Sequence, residues 1–286
     1  MMSKTDIEYG DRTWNVLTGC TVKSEGCKHC WAQKMAKRLK AMGRPEYQDA
    51  VDDAGNWTGR IRLVPGRLKE PLTWRKPQHV LVEYMGDLFH KDVPWDYVRR
   101  VFNVMMETPQ HTYQTLTKRP EIMEADLKFN GISNVILGVS IENQKRANER
   151  LPYMRALAER GWRTWVSYEP ALGPVDWTGW EFLNQLICGG ESGPGARPMH
   201  PDWARSARDF CVGNGIPFFF KQWGSWVTSE NTSIGTLGGK GLFVPPSTPG
   251  NYIQGDGWFP VKVSKKAAGR LLDGKTWSEL PKGVPR

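Results

Sequence analysis

The sequence has no uninterrupted apolar run as long as a membrane-spanning helix needs, about 20 residues, and the chain does not start with an apolar segment. The first absence argues against a membrane protein, and the second argues against a secretory signal peptide. We therefore expect a cytoplasmic protein without a membrane partner. Thiols stay reduced in that compartment, so thiolate-bound iron can persist there.

Acidic residues are scarce relative to basic ones: 30 Asp and Glu stand against 39 Lys and Arg, which gives a net charge of +9. An excess of positive charge favours polyanionic partners such as nucleic acid, although a basic surface that binds nothing gives the same count. The 14 tryptophans should mostly pack in the core, and a few could stack on bases. A length of 286 residues suits one large domain, which we expect to be monomeric.

Cysteine is also scarce, yet three of the five cysteines fall within residues 20–30, at the spacing C-x6-C-x2-C. They are Cys20, Cys27 and Cys30. This segment, the cysteine loop, follows a predicted first strand at residues 13–19 and precedes a predicted first helix at residues 30–42. Thiolates at such spacing can converge on one soft metal centre. The other two, Cys188 and Cys211, lie in apolar segments and are expected to be buried structural thiols.

Three interpretations of the cysteine loop remain open from the residues alone. A disulfide would leave one of the three thiols unpaired, in a chain with no sign of secretion. A structural zinc site could add His29 to the three cysteines, but a second Cys/His pair at zinc-finger spacing is absent. A 4Fe–4S cluster normally takes four thiolates, so three cysteines would leave one iron open to a substrate or cofactor. The pattern downstream of the loop favours the cluster.

Downstream of the cysteine loop, short apolar segments alternate with segments of helical periodicity. The predicted strands after the first are residues 79–84, 111–116, 135–140, 164–167, 183–188 and 217–220. The predicted helices after the first are residues 95–107, a helix from residue 121, residues 143–160 and residues 201–212. Such alternation is typical of βαβ units with a parallel sheet. Seven units without an evident eighth predict an α/β fold, a partial (βα) TIM-like barrel, with an open doubly wound sheet as the alternative.

Residues 43–77 form a long insertion after the first helix, with few periodic apolar positions. Loops of this length are usually functional or disordered. Its basic residues are interleaved with Trp57 and Trp74, a combination that suits a nucleic-acid backbone and its bases. We therefore expect residues 60–76 to lie near the barrel mouth and to contact nucleic acid.

The barrel, with its insertion, is expected to occupy residues 1–224. Residues 225–286 would form a C-terminal extension, in which residues 225–258 are rich in Gly, Ser, Thr and Pro and should be irregular. A short helix is predicted at residues 264–272, with Ser264 as its N-cap.

Polar or glycine-rich residues follow each predicted strand. In a parallel barrel the carboxyl ends of the strands share one face, where active sites lie, so we expect these residues to line a common mouth. Each of them taken alone is also explained by a turn, a helix cap or a surface ion pair. The candidates are Met85, Gly86, Asp87, Lys118, Arg119, Ser140, Glu142, Asn143, Tyr168, Glu169, Gly189, Gly190, Glu191 and Lys221.

The motifs at these positions resemble those of a known family. They are similar to segments of the phage and prophage three-cysteine-motif family of the radical SAM superfamily. The segments of this chain that carry the resemblance are TWNVLTGCTVKSEGCKHCWA, MGDLFHKDVP, LTKRP, GVSIEN, SYEP, CGGESG and FFFKQWG. The resemblance covers roughly residues 9–226, with a shorter match near residues 259–281. The spacing C-x6-C-x2-C has a longer first gap than C-x3-C-x2-C, which is the superfamily's commonest pattern.

The resemblance implies a 4Fe–4S cluster on Cys20, Cys27 and Cys30, with S-adenosyl-L-methionine (SAM) bound at the open iron. It also implies an external electron donor and a phage-encoded or prophage protein that acts in the bacterial host. SAM contacts would come from Met85, Gly86, Asp87, Ser140, Glu142, Asn143, Gly189, Gly190 and Glu191. Met85, Gly86 and Asp87 replace the superfamily's GGE stretch, which favours backbone contacts over side-chain contacts.

The implied activity is reductive cleavage of SAM followed by hydrogen abstraction from a substrate. The charge, the insertion and the resemblance together favour a DNA base or nucleotide as that substrate. Two cations after the third strand could meet a carboxylate or a phosphate, and a carboxylate after the fifth could transfer a proton. The catalytic candidates are Lys118, Arg119, Tyr168, Glu169 and Lys221. The alternatives are a radical SAM enzyme acting on a peptide or small molecule, and a zinc-stabilised nucleic-acid-binding protein without catalysis.

Overall fold

The computed structural model describes residues 4–228, 242–243 and 260–284. Its strands are β1 (Arg12–Trp14), β2 (Leu17–Thr18), β3 (Arg62–Leu63), β4 (His79–Val82), β5 (Thr112–Thr115), β6 (Val135–Ser140), β7 (Arg163–Tyr168), β8 (Gln185–Gly189), β9 (Phe218–Gln222), β10 (Trp226–Thr228), β11 (Leu242–Phe243), β12 (Pro260–Lys262), β13 (Leu271–Leu272) and β14 (Lys275–Thr276). Its helices are α1 (Trp31–Ala41), α2 (Trp95–Glu107), α3 (Pro120–Asp126), α4 (Gln144–Glu159), α5 (Pro201–Gly213) and α6 (Lys265–Ala268).

The main sheet has seven strands in the order β1-β4-β5-β6-β7-β8-β9. All neighbouring pairs are parallel, so each strand lies beside the strand of this sheet that follows it along the chain. The sheet is curled into a half-barrel with helices packed on its outer face. This arrangement confirms the predicted partial (βα) barrel, and no eighth parallel strand closes it within the described residues.

Successive residues of a strand point to opposite faces of the half-barrel. Both faces are buried, because each one packs against a cluster of apolar side chains. The outer face packs against amphipathic helices, and α2 contributes apolar side chains spaced three or four residues apart, Tyr97, Val98, Val101, Phe102 and Met105. The inner face holds a smaller cluster, Tyr9, Leu81, Ile136, Trp165, Ile187 and Phe219. Gly138 makes room in it, since an added Cβ would lie 2.0 Å from Nε1 of Trp165.

The predicted first strand at residues 13–19 is wrong as one continuous strand. The chain leaves the main sheet after β1, and β2 pairs instead with β3 of the insertion in an antiparallel ladder. The reason is a carboxylate from the next strand, because Glu83 accepts the backbone N–H groups of Val16 and Leu17. These amides therefore have a side-chain partner in place of a ladder partner.

The C-terminal extension also differs from its prediction. Residues 225–258 were expected to be irregular, but β10 and β11 both pair with β12 in an antiparallel sheet; the rest of that segment lies outside the described residues. Ser264 caps α6 as predicted, its hydroxyl accepting the N–H of Ala267. The helix ends earlier than residue 272, because Gly269 turns the backbone with φ of 67°, and β13 and β14 follow.

Two further expectations concern the burial of two cysteines and the absence of membrane-spanning helices. Cys188 and Cys211 are buried and form no disulfide, as predicted. None of the described helices combines the length and the apolar character that crossing a membrane requires.

Candidate functional site

A cavity of about 450 Å³ lies at the carboxyl ends of the parallel strands. The cysteine loop forms one part of its wall, and the strand ends form the rest. The predicted residues that line it are Cys20, Cys27, Cys30, Met85, Gly86, Asp87, Lys118, Arg119, Ser140, Glu169, Gly190, Glu191 and Lys221. The fold therefore brings together residues that lie more than 200 positions apart in the chain.

The cysteine loop is built from tight turns that lead into α1. The N–H of Cys27 donates to the carbonyl of Ser24 at 2.9 Å, and the N–H of Cys30 donates to the carbonyl of Cys27 at 3.2 Å. Cys30 is the N-cap of α1. Burial raises the pKa of its thiol, whereas the N–H groups of Gln33 and Ala32 at the helix start oppose that rise. The helix start therefore favours the thiolate form of Cys30.

Cys20 lies beside a buried ion pair. Arg119 donates to Asp87 at 2.6 Å and to the hydroxyl of Thr21 at 2.5 Å, so it joins the segment after β4 to the cysteine loop. Thr117 donates to the other carboxylate oxygen of Asp87 at 2.7 Å. Burial, together with the negative charge of Asp87, raises the pKa of the Cys20 thiol to about 12, and Arg119 opposes this rise.

Glu142 supports the cysteine loop through a contact with Ser24 and does not line the cavity. It is fully buried, and it accepts from Ser24 at 2.6 Å and pairs with Lys118 at 2.9 Å and Arg150 at 2.8 Å. Burial alone would raise the pKa of Glu142, but the two cations lower it to about 2. Gly26 has no side chain where Glu142 packs, since a Cβ there would lie 2.6 Å from its carboxylate.

Two more arginines hold the cysteine loop. Arg146 binds the Glu25 carboxylate at 2.7 Å, and Asn143 caps α4 while its amide also donates to Glu25. Arg197 donates to both oxygens of Glu191, at 2.6 and 2.9 Å, and to the backbone carbonyl of Glu25 at 3.0 Å. Sequence reasoning missed both arginines, because nothing in their local pattern distinguishes them from surface cations.

Another part of the cavity carries a carboxylate and an ammonium group. Glu169 pairs with Lys221 at 3.1 Å and accepts from Ser167 at 3.4 Å. The ammonium group of Lys221 also lies 5.5 Å from the ring centre of Tyr9. Gly189 does not line the cavity but leaves space for Glu169, because a Cβ there would lie 2.6 Å from its carboxylate.

Tyr168 does not face the cavity, although it lies between two residues that do. Ser167 and Glu169 point inward, so Tyr168 points to the outer face of the sheet. There it is fully buried, donates its hydroxyl to the carbonyl of Gly173 and packs edge-on against Trp177 at 5.2 Å. Its contacts support the outer core.

Glu83 is a cavity residue that sequence reasoning did not select. Its backbone has φ of 56°, unusual for a residue with a side chain. One carboxylate oxygen accepts from Val16 at 2.7 Å and Leu17 at 2.9 Å, while the other has no partner among the described residues. Burial raises the pKa of Glu83 to about 8 although the two N–H groups oppose it. An acidic residue inside a buried strand end was the signal that could have found it.

Among the described residues, no side chains are arranged as the ligands of a single metal ion. No group of three or more His, Cys, Asp or Glu side chains converges on a single point in the parts of the chain that the structure describes. His29 lines the cavity with the three cysteines, but together they do not form such a group.

Comparisons with known proteins give one family and one set of related folds. A family model described as "Protein of unknown function (DUF5131)" matches residues 4–281. This chain belongs to the DUF5131 family. The description of that family names no activity, and no curated protein matches the chain.

The solved structures found to match this DUF5131 protein are structures of spore photoproduct lyase. A cysteine-to-serine mutant of that lyase is 11% identical, with a TM-score of 0.47, over 94% of this chain and 72% of the lyase chain. A lyase structure with bound AdoMet and dinucleoside spore photoproduct has 11% identity, the same coverages and a TM-score of 0.43. Likeness at this level carries no argument about chemistry.

The basic insertion of the DUF5131 chain is spread over two ends of the sheet. Trp57 lines the cavity. Trp74 packs against His111 at 5.7 Å and under the guanidinium of Arg12 at 5.0 Å. Arg12 begins β1 and His111 precedes β5, so Trp74 lies at the amino ends of the strands. The prediction that residues 60–76 lie near the mouth is therefore wrong for the part around Trp74.

Proposed function

We propose that this protein is a radical SAM enzyme whose 4Fe–4S cluster is held by Cys20, Cys27 and Cys30. The observation that carries the proposal is that three free thiols of one loop line a single cavity at the carboxyl ends of parallel strands. Three thiolates leave one iron of such a cluster open, and SAM would bind there. The proposed substrate is a DNA base or nucleotide, which the net charge of +9 supports.

Three free thiols that line one cavity match in kind the donors of a 4Fe–4S cluster with one open iron. Each thiolate of a 4Fe–4S cluster binds a different iron, so the three sulfur atoms need not meet at one point. A structural zinc site built from the cysteines and His29 would need four ligands around one ion. The described residues contain no group of three or more His, Cys, Asp or Glu side chains around one point, so the choice of a cluster rests on the three thiols that line the cavity and on the resemblance of the motif that carries them.

At the cysteine end of the cavity, the protein's task is to hold thiolates. Burial raises the pKa of Cys20 to about 12 and raises that of Cys30 as well, so cluster binding must displace protons that the free thiols keep at neutral pH. Arg119 beside Cys20 and the helix start beside Cys30 favour the charged forms. When bound, the cluster and SAM supply the one-electron chemistry that removes a hydrogen atom from the substrate.

The remaining cavity residues divide between cofactor and substrate in this proposal. The proposed SAM contacts are the side chains and backbone at Met85, Gly86, Asp87, Ser140, Gly190 and Glu191. Glu142, Asn143 and Gly189 would act indirectly, since they support the cysteine loop or Glu169. Glu169 and Lys221 would bind the substrate, because they pair with each other inside the cavity and can exchange that partner for a polar group. Lys118 and Arg119 would fix the loop, and Tyr168 would support the sheet behind them.

Anaerobic incubation with SAM and a strong reductant tests the proposal. Chromatography should detect 5′-deoxyadenosine or an adenosyl adduct from the reconstituted protein. Cys27→Ala should lose both the product and most of the bound iron, whereas Cys211→Ala, which changes a buried thiol away from the cavity, should keep both. A protein that carries the cluster but releases no SAM-derived product, with or without DNA, would refute the enzymatic proposal. Product formation that never responds to DNA would favour a peptide or small-molecule substrate.

A further inference from the structure

One large aromatic side chain of the cavity wall also faces solvent. Trp31, at the start of α1, lines the cavity and is 50% exposed. Met35 lies one helical turn further on and is 36% exposed. Exposed apolar groups that adjoin one another mark a binding surface more often than isolated ones do. An aromatic ring at this point is in contact with both the solvent and the interior of the cavity.

The charged side chains of helix α1 all have one sign. Helix α1 contains four cations and no acidic residue, and its cations are Lys34, Lys37, Arg38 and Lys40. Lys37 and Lys40 bind carbonyls of the insertion, and Lys40 also pairs with Asp53 at 2.9 Å. Lys28, Lys34 and Arg38 are exposed and form no ion pair with any residue that the structure describes. Trp31, Lys34 and Arg38 lie on one face of the helix, because they are three and four residues apart.

We propose that Lys28, Trp31, Lys34 and Arg38, the α1 surface, bind a single-stranded nucleic acid. The three cations would contact backbone phosphates, and a base would stack on the indole of Trp31 at the cavity entrance. The fate of a base inside the cavity rests on the proposed function, but the binding itself does not. A base at Trp31 would be the next to enter the cavity, since the same ring forms part of the cavity wall.

This surface differs from the one that the insertion pattern suggests. Arg67 of the insertion pairs with Glu46 at 2.7 Å, and Arg62 donates to the carbonyl of Pro45 at 2.6 Å, so both have partners within the insertion. An acidic electron-transfer protein is the other class of partner that a basic face near the cysteines could attract. Nucleic acid is favoured because a half-exposed indole among unpaired cations matches a stacking platform, and because that platform continues into the cavity.

The test measures anisotropy of a labelled single-stranded DNA of mixed sequence, about 15 nucleotides long, across a salt series. The protein is full length, and neither SAM nor reductant is added, so failure here is separate from failure of the enzymatic proposal. The test variant is Lys28→Ala/Lys34→Ala/Arg38→Ala. The matched control is Lys69→Ala/Arg75→Ala/Lys76→Ala, which removes the same charge from exposed positions of the insertion. Thermal unfolding checks that both variants fold.

The α1 variant should bind more weakly, and its plot of log affinity against log salt should be shallower by about 2, or roughly 0.7 for each lost phosphate contact. The control should match the parent. Trp31→Ala should bind about tenfold more weakly with an unchanged salt slope, because stacking carries no charge, and Trp31→Phe should recover most of the loss. Equal losses in the α1 and control variants, or no loss in either, would overturn the proposal. The same variants are also tested with flavodoxin as an acidic electron-transfer protein. An α1 variant that binds DNA like the parent but no longer binds flavodoxin would also overturn the proposal.

Discussion

The Glu83 carboxyl group stays protonated in the folded protein until the pH approaches about 8, because burial raises its pKa to that value. The two backbone N–H groups that it accepts would favour the charged form, yet they do not compensate for the loss of water. A neutral carboxyl group thereby joins β4 to the chain between β1 and β2. Its second oxygen is buried without a partner among the described residues, and the residue is part of the cavity wall.

We predict that this group makes the protein less stable as the pH rises. Between the ordinary pKa of 4.5 and about 8, the unfolded chain ionises Glu83 while the folded protein does not. The free energy of unfolding should therefore fall across that window, at about 1.4 kcal/mol per pH unit at most. Urea unfolding at a series of pH values measures it.

Glu83→Gln should lack this pH-dependent component, because the amide does not titrate. Glu121→Gln, which changes a partly exposed carboxylate paired with Lys23, serves as the control and should keep the component. Parallel pH profiles of the parent and Glu83→Gln would show that Glu83 does not titrate in this way.

Single residues show where sequence reasoning reaches its limit. The cysteines and the polar strand ends could be predicted, because parallel strands bring their carboxyl ends to one edge regardless of packing details. The face of the sheet to which a given residue points could not be predicted, because it depends on the strand's register. Tyr168 was expected in the site and points to the outer core, whereas Ser167 lies in the cavity wall. Glu83 acts through Val16 and Leu17, which are more than 60 positions away.

At the scale of elements, the cysteine loop is held from several sides before any ligand binds. Arg119 holds it near Cys20, Glu142 holds it through Ser24, and Arg146 and Arg197 hold it through Glu25. These residues come from the segments after β5 and β6, from α4 and from the segment after β8. Such support fixes the positions of the thiols and would limit the reorganisation that binding of the proposed cluster costs.

We predict that Glu142→Gln destabilises the protein by about 3 kcal/mol, because it leaves Lys118 and Arg150 without a buried counter-charge. Urea unfolding at neutral pH gives the value. Glu149→Gln is the matched control, because Glu149 also pairs with an arginine, Arg146, but its side chain is 45% exposed. This substitution should destabilise the protein by less than about 1 kcal/mol. The pKa of Glu142 is lowered to about 2, so its contribution is complete above pH 4.5 and is lost as the pH falls towards 2. Equal costs for the two variants would contradict this account of the loop.

The element predictions held best where a segment buries a regular face. Strand β6 and helix α2 have the predicted bounds, because continuous burial in one and the spacing of apolar residues in the other define them. The split between β1 and β2 could not be predicted, since it depends on the Glu83 side chain. The three-stranded sheet of β10, β12 and β11 was missed, because its strands are short and are separated by long stretches rich in turn-forming residues.

At the scale of the whole molecule, the half-barrel has a cavity at the carboxyl ends of its strands, lined by the cysteines and by Trp31 of α1. The amino ends of the strands carry Trp74 and its contacts instead. The location of the charge is therefore more informative than the net value of +9, because Lys28, Lys34 and Arg38 form no ion pair with any described residue while Arg62 and Arg67 bind partners within the insertion. The external electron donor and the phage origin stay predictions.

The most direct test of the central claim is electron paramagnetic resonance of the chemically reduced, anaerobically reconstituted protein, recorded before and after addition of SAM. We predict the signal of one reduced 4Fe–4S cluster per chain, with a changed line shape once SAM occupies the open iron. Cys211→Ala should behave in the same way, and Cys20→Ala should give no such signal. A spectrum that saturating SAM leaves unchanged, or a protein whose stoichiometric zinc resists replacement by iron, would contradict the claim.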